Sequence, residues 1–112
     1  MRLPNPDRAL VDEAKVERYL LPSEHPEGRL KAVVFHAAGY RSAWWRVLQA
    51  DLAATAHLEA DRVTETPFGQ KYEVSAILRG PAGRGLAVTV VWLVRRDEVF
   101  PRLVTAFPRR RP

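Results

Sequence analysis

The feature that most constrains the fold is a change of hydrophobic period after residue 58. Between residues 71 and 79, apolar side chains at every second position alternate with side chains that are polar except for Ile77, which is the period of a β-strand and not of a helix. Residues 80–85 are rich in glycine and proline and are typical of a hairpin connection. Residues 86–95 are nearly all apolar and rich in β-branched side chains, so they predict a central, covered strand.

The remainder of the chain predicts one more strand and a helical N-terminal part. A turn is predicted at residues 97–98. Residues 102–107 are then predicted to form the further strand, which ends at Pro108. Helical spacing of apolar side chains predicts helices at about residues 13–20, 29–38 and 43–57, the first of them capped by Asp12 and the second ended by Gly39. The predicted architecture is α+β, with about three N-terminal helices packed on a C-terminal antiparallel meander of three to four strands.

Length and composition predict one domain over residues 1–108 with a mobile basic tail at 109–112. The chain contains no cysteine, and it shows neither a signal peptide nor an apolar run long enough to span a bilayer. A cytoplasmic protein that makes no use of the membrane is therefore expected. The formal net charge is +5, and arginine outnumbers lysine 15 to 3. This ratio reflects either genomic base composition or a polyanionic partner, since arginine suits phosphate recognition.

The motifs of several enzyme classes are missing from the sequence. There is no phosphate-binding glycine loop, no GxSxG and no spacing of histidine and cysteine that suits zinc, so no metal site and no cofactor are predicted. What remains is acid–base chemistry assisted by cations. Metal-independent RNA cleavage needs one group to take a proton, one to give a proton, and cations to hold the charge of the phosphorane.

The stretch from His25 to Phe35 concentrates polar groups suited to such chemistry. His25 supplies an imidazole, the side chain whose intrinsic pKa suits proton transfer near neutral pH. Arg29 and Lys31 lie at the start of a predicted helix, where a phosphate can also meet free backbone N–H groups. The alternative interpretation is an ordinary loop histidine followed by a solvated helical lysine.

Four residues on the predicted strands are further candidate site residues. Lys71 lies on the strand face opposite to Tyr72, and Thr105 is a polar interruption in the last strand, which begins at Arg102. Trp92 is either a core residue or a platform on which a base stacks.

Much of the chain resembles a small bacterial family of single-domain proteins that forms a domain of unknown function. The similarity extends roughly from Val11 to Pro108, and the segments that carry it are Lys15–Leu21, His25–Ala32 with Phe35, Phe68–Val74, Trp92 and Pro101–Pro108. More distantly, the layout resembles the barnase–EndoU–colicin–RelE ribonuclease fold of bacterial toxins, and Thr105-Ala106-Phe107-Pro108 matches a strand ending typical of that group. This resemblance implies metal-independent RNA cleavage controlled by an antitoxin or immunity partner.

The leading hypothesis is a toxin-like ribonuclease in which His25 is the general acid or base. Lys31 and Lys71 stabilise the phosphorane, Thr105 orients the scissile group, and the residues assigned to RNA binding are Arg29, Arg102 and Trp92. No second histidine lies at an obvious strand position, so a lysine or threonine must serve as the partner of His25. The alternatives are a non-enzymatic interaction module, such as a toxin's immunity partner or an adaptor, and a nucleic-acid binder that uses the arginine tail.

Overall fold

The computed structural model describes residues 1–16, 35–83 and 85–109, and every structural statement below concerns these residues. Two α-helices begin and end within these residues, α1 (Glu13–Lys15) and α2 (Trp45–Thr55), and residues 35–37 are also helical. 3-10 turns occur at Pro6–Arg8 and Ser42–Trp44. Four strands follow along the chain, and they are β1 (Arg62–Thr66), β2 (Gly69–Arg79), β3 (Gly85–Arg95) and β4 (Arg102–Pro108).

The strands form one antiparallel meander in the order β1-β2-β3-β4. β2 and β3 pair without interruption from Gly69↔Arg95 to Arg79↔Gly85, so the predicted hairpin is confirmed. β4 pairs with the other edge of β3, with a bulge between Val91 and Trp92. β1 was not predicted, because its five residues contain a single apolar side chain, Val63, and show no alternation that marks a strand.

The hydrophobic core lies on one face of this sheet, which is called the inner face below. Alternate residues of β2 and β3 point into it, and α2 covers it with Leu48 and Leu52, both fully buried. The inner-face strand residues are Tyr72, Val74, Ala76, Leu78, Val88, Val90, Trp92, Leu103 and Ala106. Period-two patterning therefore identified the buried face of β2 correctly.

The prediction of about three helices packed on the sheet is wrong. The described part of the chain is mostly sheet and contains two short α-helices, of which only α2 is longer than a single turn. Leu3 and Val11 reach the core from irregular backbone, so apolar residues before the sheet are not a reliable sign of helix here. Trp44, at the start of the third predicted helix, precedes α2 and is 61% exposed. The rest of the first two predicted helices falls largely on residues 17–34, outside the described residues.

The N-terminal arm is joined to the sheet by backbone bridges. The Leu10 N–H donates to the Pro101 carbonyl and the Leu103 N–H donates to the Leu10 carbonyl, each at 2.9 Å, which forms a parallel bridge beside β4. A second bridge joins Arg2 to Glu59. The predicted cap at Asp12 is confirmed, because its carboxylate accepts a hydrogen bond of 2.8 Å from the Ala14 N–H.

One further feature concerns the part of the chain around α2. The Tyr40 hydroxyl donates a 2.6 Å hydrogen bond to Asp51, and burial together with this carboxylate raises the pKa of Tyr40. Tyr40 thereby ties the turn that ends at Gly39 to the helix.

Among the described residues, no helix is both long and apolar enough to cross a membrane.

Candidate nucleic-acid interface

Three of the predicted site residues lie on the outer face of the sheet, opposite to the core. Lys71 is paired with Leu93, and Leu93 is paired with Arg102, so the lysine and the arginine flank one leucine in a single row. Two strand spacings of about 4.8 Å put their backbones about 10 Å apart. Thr105 lies in the next row, opposite Val91. The structure therefore brings two cations and a hydroxyl to one face across three adjacent strands.

Arg102 is already engaged on this face. Its Nε and Nη2 atoms donate to the two carboxylate oxygens of Glu98, both at 2.6 Å. This paired hydrogen bond lowers the pKa of Glu98 and raises that of Arg102. The guanidinium is held in a fixed orientation, and part of its charge is compensated by the carboxylate. A phosphate at Arg102 must therefore share the guanidinium with Glu98.

Trp92 lies on the inner face and is fully buried. It is paired in register with Tyr72 on β2 and with Leu103 on β4. Its indole Nε1 is buried and makes no hydrogen bond in the structure. In this arrangement the ring has no surface on which a base can stack. The position of Trp92 corresponds to the first of its two interpretations, that of a core residue.

The remaining predicted site residues, His25, Arg29 and Lys31, lie outside the described residues. Their distance from Lys71 and Thr105 therefore stays a prediction. The other two histidines are described: His57 is exposed after α2, and His36 is half-buried with its Nε2 atom unpaired. Among the described residues, no group of three or more histidine, cysteine, aspartate or glutamate side chains is arranged to hold a metal ion.

Two adjacent grooves open on the outer face around Leu93 and Arg95, which line both of them. The smaller groove has a volume of about 190 Å³ and includes Arg102, and its lining residues are Leu10, Asp12, Leu93, Arg95, Arg102, Leu103 and Val104. The larger groove has a volume of about 520 Å³, and its lining residues are Phe68, Leu93, Arg95, Arg96 and Asp97. Arg102 thus borders the smaller groove, and Lys71 is paired with Leu93, which lines both grooves.

Sequence reasoning did not identify Phe68, Arg95 or Arg96 as candidate site residues. One signal was available: Phe68 lies in a short Pro67-Phe68-Gly69 connection, where a large aromatic side chain is not required by a strand pattern. The two arginines follow the most apolar strand directly, at the point where the chain turns. Only the pairing of β2 with β3 shows that these three residues meet at one end of the sheet.

Comparison with known proteins relates the chain to one family and one solved complex. The model of a family described as a domain of unknown function, DUF6883, matches residues 2–110. The fold is similar to that of a chain in the contact-dependent growth inhibition toxin - immunity protein complex from Klebsiella pneumoniae 342. The TM-score is 0.72 with 14% identity, over 95% of this chain and 97% of that chain. No curated protein matched the sequence.

Proposed function

We propose that this chain, which belongs to the DUF6883 family, is a toxin-like domain that cleaves RNA by metal-independent acid–base phosphoryl transfer. The family match bears out the resemblance to a domain of unknown function. The fold shared with a chain of a toxin–immunity complex supports the toxin-related role in this proposal. At 14% identity the similarity shows the fold alone. The barnase–EndoU–colicin–RelE ribonuclease fold and the cleavage of RNA belong to the proposal.

The observation that carries the proposal is the shared face of Lys71, Arg102 and Thr105. Lys71 and Thr105 are half-buried there, so each leaves part of its surface open to a substrate. A cation at a partly desolvated site stabilises developing negative charge more strongly than a cation in bulk water does. Lys71 is suited to the phosphorane, and Arg102 to a neighbouring phosphate.

The proposed reaction needs only groups of this chain and the RNA itself. The 2′-hydroxyl attacks the adjacent phosphorus, the bond to the 5′-oxygen breaks, and a 2′,3′-cyclic phosphate and a 5′-hydroxyl are the products. His25 takes the proton of the 2′-hydroxyl or gives one to the 5′-oxygen, and a lysine or threonine of the set serves as its partner. Lys31 and Lys71 hold the phosphorane charge, Arg29 and Arg102 hold flanking phosphates, and Thr105 orients the scissile group.

The proposal is tested with purified protein and total RNA in the presence of EDTA. We expect cleavage to survive chelation, to vanish in His25→Ala, and to fall roughly 100- to 1,000-fold in Lys71→Ala. Lys71→Arg, which keeps the charge, is the matched control and should retain more activity than the alanine variant. Absence of both RNA cleavage and growth arrest on expression of the native chain would overturn the proposal.

A second candidate is a non-enzymatic interaction module, such as the immunity partner of a toxin. Exposed apolar side chains on the outer face favour this candidate, because such side chains often mark protein interfaces. Ile77 is 60% exposed and Phe107 is 37% exposed. The similar solved complex is named for both a toxin and an immunity protein. This candidate predicts that His25→Ala changes nothing and that a protein partner co-purifies with the chain while RNA stays intact.

A further inference from the structure

We propose that Phe68 is the base-stacking residue of this chain and that Arg95 and Arg96 hold the backbone of the same single-stranded RNA segment. The inference rests on the proposed ribonuclease function and adds a substrate-binding subsite to it. It gives the stacking role, first assigned to Trp92, to an aromatic side chain at the surface. The relevant contrast is in exposure: Trp92 is 0% exposed and Phe68 is 75% exposed.

Phe68 is exposed although its backbone is firmly held. The Phe68 N–H donates to the Thr66 Oγ1 atom at 3.2 Å, and the Thr66 hydroxyl donates to the Gly69 carbonyl at 2.7 Å. On the other side, the Arg96 N–H donates to the Phe68 carbonyl at 3.3 Å. The ring is therefore presented to solvent by a hydrogen-bonded turn, so little backbone ordering is left for a ligand to impose.

Gly69 fixes where this turn sits against β3. Its φ is 140°, and a Cβ atom built there would lie 2.1 Å from the Val94 carbonyl oxygen. Only a glycine allows the β1–β2 turn to approach β3 this closely. The approach brings Phe68 to the rim of the groove that Leu93, Arg95 and Arg96 line.

The charges around the groove favour an anionic chain. Arg95 and Arg96 line it and are exposed, and Lys71 lies beside its floor because Lys71 is paired with Leu93. Two carboxylates are also near: Asp97 lines the groove, and Glu65 lies 3.8 Å from Arg96. The Glu65–Arg96 pair is about two-thirds exposed on both sides, so it holds the arginine weakly. Cations therefore outnumber carboxylates by three to two, counting Lys71, Arg95 and Arg96 against Asp97 and Glu65.

An exposed ring flanked by arginines matches single-stranded RNA better than a duplex. Every unpaired base offers a flat face to an aromatic side chain, and arginine holds the adjacent phosphates. The bases of an A-form duplex are stacked on one another and do not offer that face. The groove also meets the row that contains Lys71 and Arg102, so a base on Phe68 and a phosphate at Lys71 belong to one continuous segment.

The experiment measures binding separately from cleavage. The probe is a fluorescein-labelled 2′-O-methyl RNA of about 12 nucleotides, a length within the usual site size for single strands. Its attacking hydroxyl is blocked, so the native chain binds it without cutting it. We expect Phe68→Ala to weaken binding roughly 5- to 150-fold, which corresponds to the loss of one base–aromatic stack. Phe68→Tyr should restore binding.

A probe of the same length with abasic sites identifies stacking as the cause. With that probe, Phe68→Ala and the native chain should bind equally, whereas Arg95→Gln and Arg96→Gln should weaken binding to both probes and reduce its salt dependence. The matched control is Trp44→Ala, which removes an aromatic side chain that is 61% exposed and outside the groove, and it should leave binding unchanged.

The possible failures are distinguishable. If the native chain binds the probe and Phe68→Ala binds it equally well, this inference is wrong while the proposed function stands. If Phe68→Ala weakens binding to the abasic probe as much as to the normal one, the ring maintains the shape of the groove and does not stack on a base. The inference is then also wrong. If the native chain neither binds the probe nor cuts RNA, or binds only an acidic peptide in this groove, both proposals fail.

Discussion

The two faces of the sheet use the same strands for different purposes. On the inner face, Trp92 and Val90 are fully buried in the core cluster that also contains Leu48 and Leu52 of α2. On the outer face, their immediate neighbours Leu93 and Val91 are flanked by Lys71, Arg102 and Thr105. Since successive strand residues point to opposite faces, stability and proposed chemistry alternate residue by residue. Substitutions on the two faces should therefore have separable effects.

The sharpest test of this separation compares two adjacent residues. Trp92→Ala should lower the free energy of unfolding by about 3–5 kcal/mol, because it leaves a large cavity in the core. Leu93→Ala, one residue along on the outer face, should cost clearly less, since Leu93 is only half-buried. Urea unfolding followed by circular dichroism measures both. An equal loss in the two variants would contradict the assignment of the faces.

A second test addresses the close approach of the β1–β2 turn to β3. Gly69→Ala should lower the free energy of unfolding by about 2–4 kcal/mol, because it combines backbone strain with a steric clash. Gly83→Ala is the matched control: Gly83 has a φ of 80°, but a Cβ atom there would have nothing within 4 Å. The control should lose only the strain, about 1–2 kcal/mol. Thermal unfolding of both variants checks the difference, and Gly83→Ala proving the more damaging would refute the explanation.

The smallest expected effect concerns the edge of the sheet. The Ser75 N–H donates a 2.8 Å hydrogen bond to the Asp61 carboxylate, and hydrogen bonding to the Ser75 side chain and backbone holds the pKa of Asp61 below its ordinary value of 3.8. A carboxylate whose pKa is lower in the folded state stabilises the fold at pH values above its ordinary pKa. This contribution disappears as the pH falls through the folded-state pKa.

Asp61→Asn should therefore cost less than about 1 kcal/mol at neutral pH, since the group is exposed. The difference from the native chain should vanish under acid conditions, because both side chains are then neutral. Unfolding curves at several pH values measure this, with Asp97→Asn as the control for general charge effects. A difference that grows as the pH falls would show that the sign is wrong.

Most of the sheet could be predicted from the sequence, and of the helices only α2 is matched within the described residues. β2 and β3 were recognised because apolar and polar residues of β2 alternate up to Ile77 and β3 is nearly all apolar, which are local signals. β1 has no such signal, and it is a strand because β2 offers it an edge. Of the three predicted helices, the one at about residues 43–57 corresponds to α2, whereas the first two fall largely on residues 17–34, outside the described residues.

The candidate site could be predicted only where strand period sets the direction of a side chain. Alternation put Lys71 on the face opposite to Tyr72, as observed. The period alone did not decide between core and surface for Trp92, because a covered strand is apolar on both faces. Phe68, Arg95 and Arg96 meet through pairing between strands, and this pairing has no signature in any single segment of the chain.

The parallel bridge between Leu10 and the start of β4 has a consequence for the order in which the fold is completed. The meander pairs strands that are neighbours in sequence, with partners no further apart than Gly69 and Arg95. Leu10, by contrast, docks on Pro101 and Leu103, which leave the ribosome some ninety residues later. Leu10 and Asp12 can therefore close one end of the smaller groove only once synthesis has passed β4. Until then, the smaller groove of the nascent chain is incomplete, although every residue that lines the larger groove has already been synthesised.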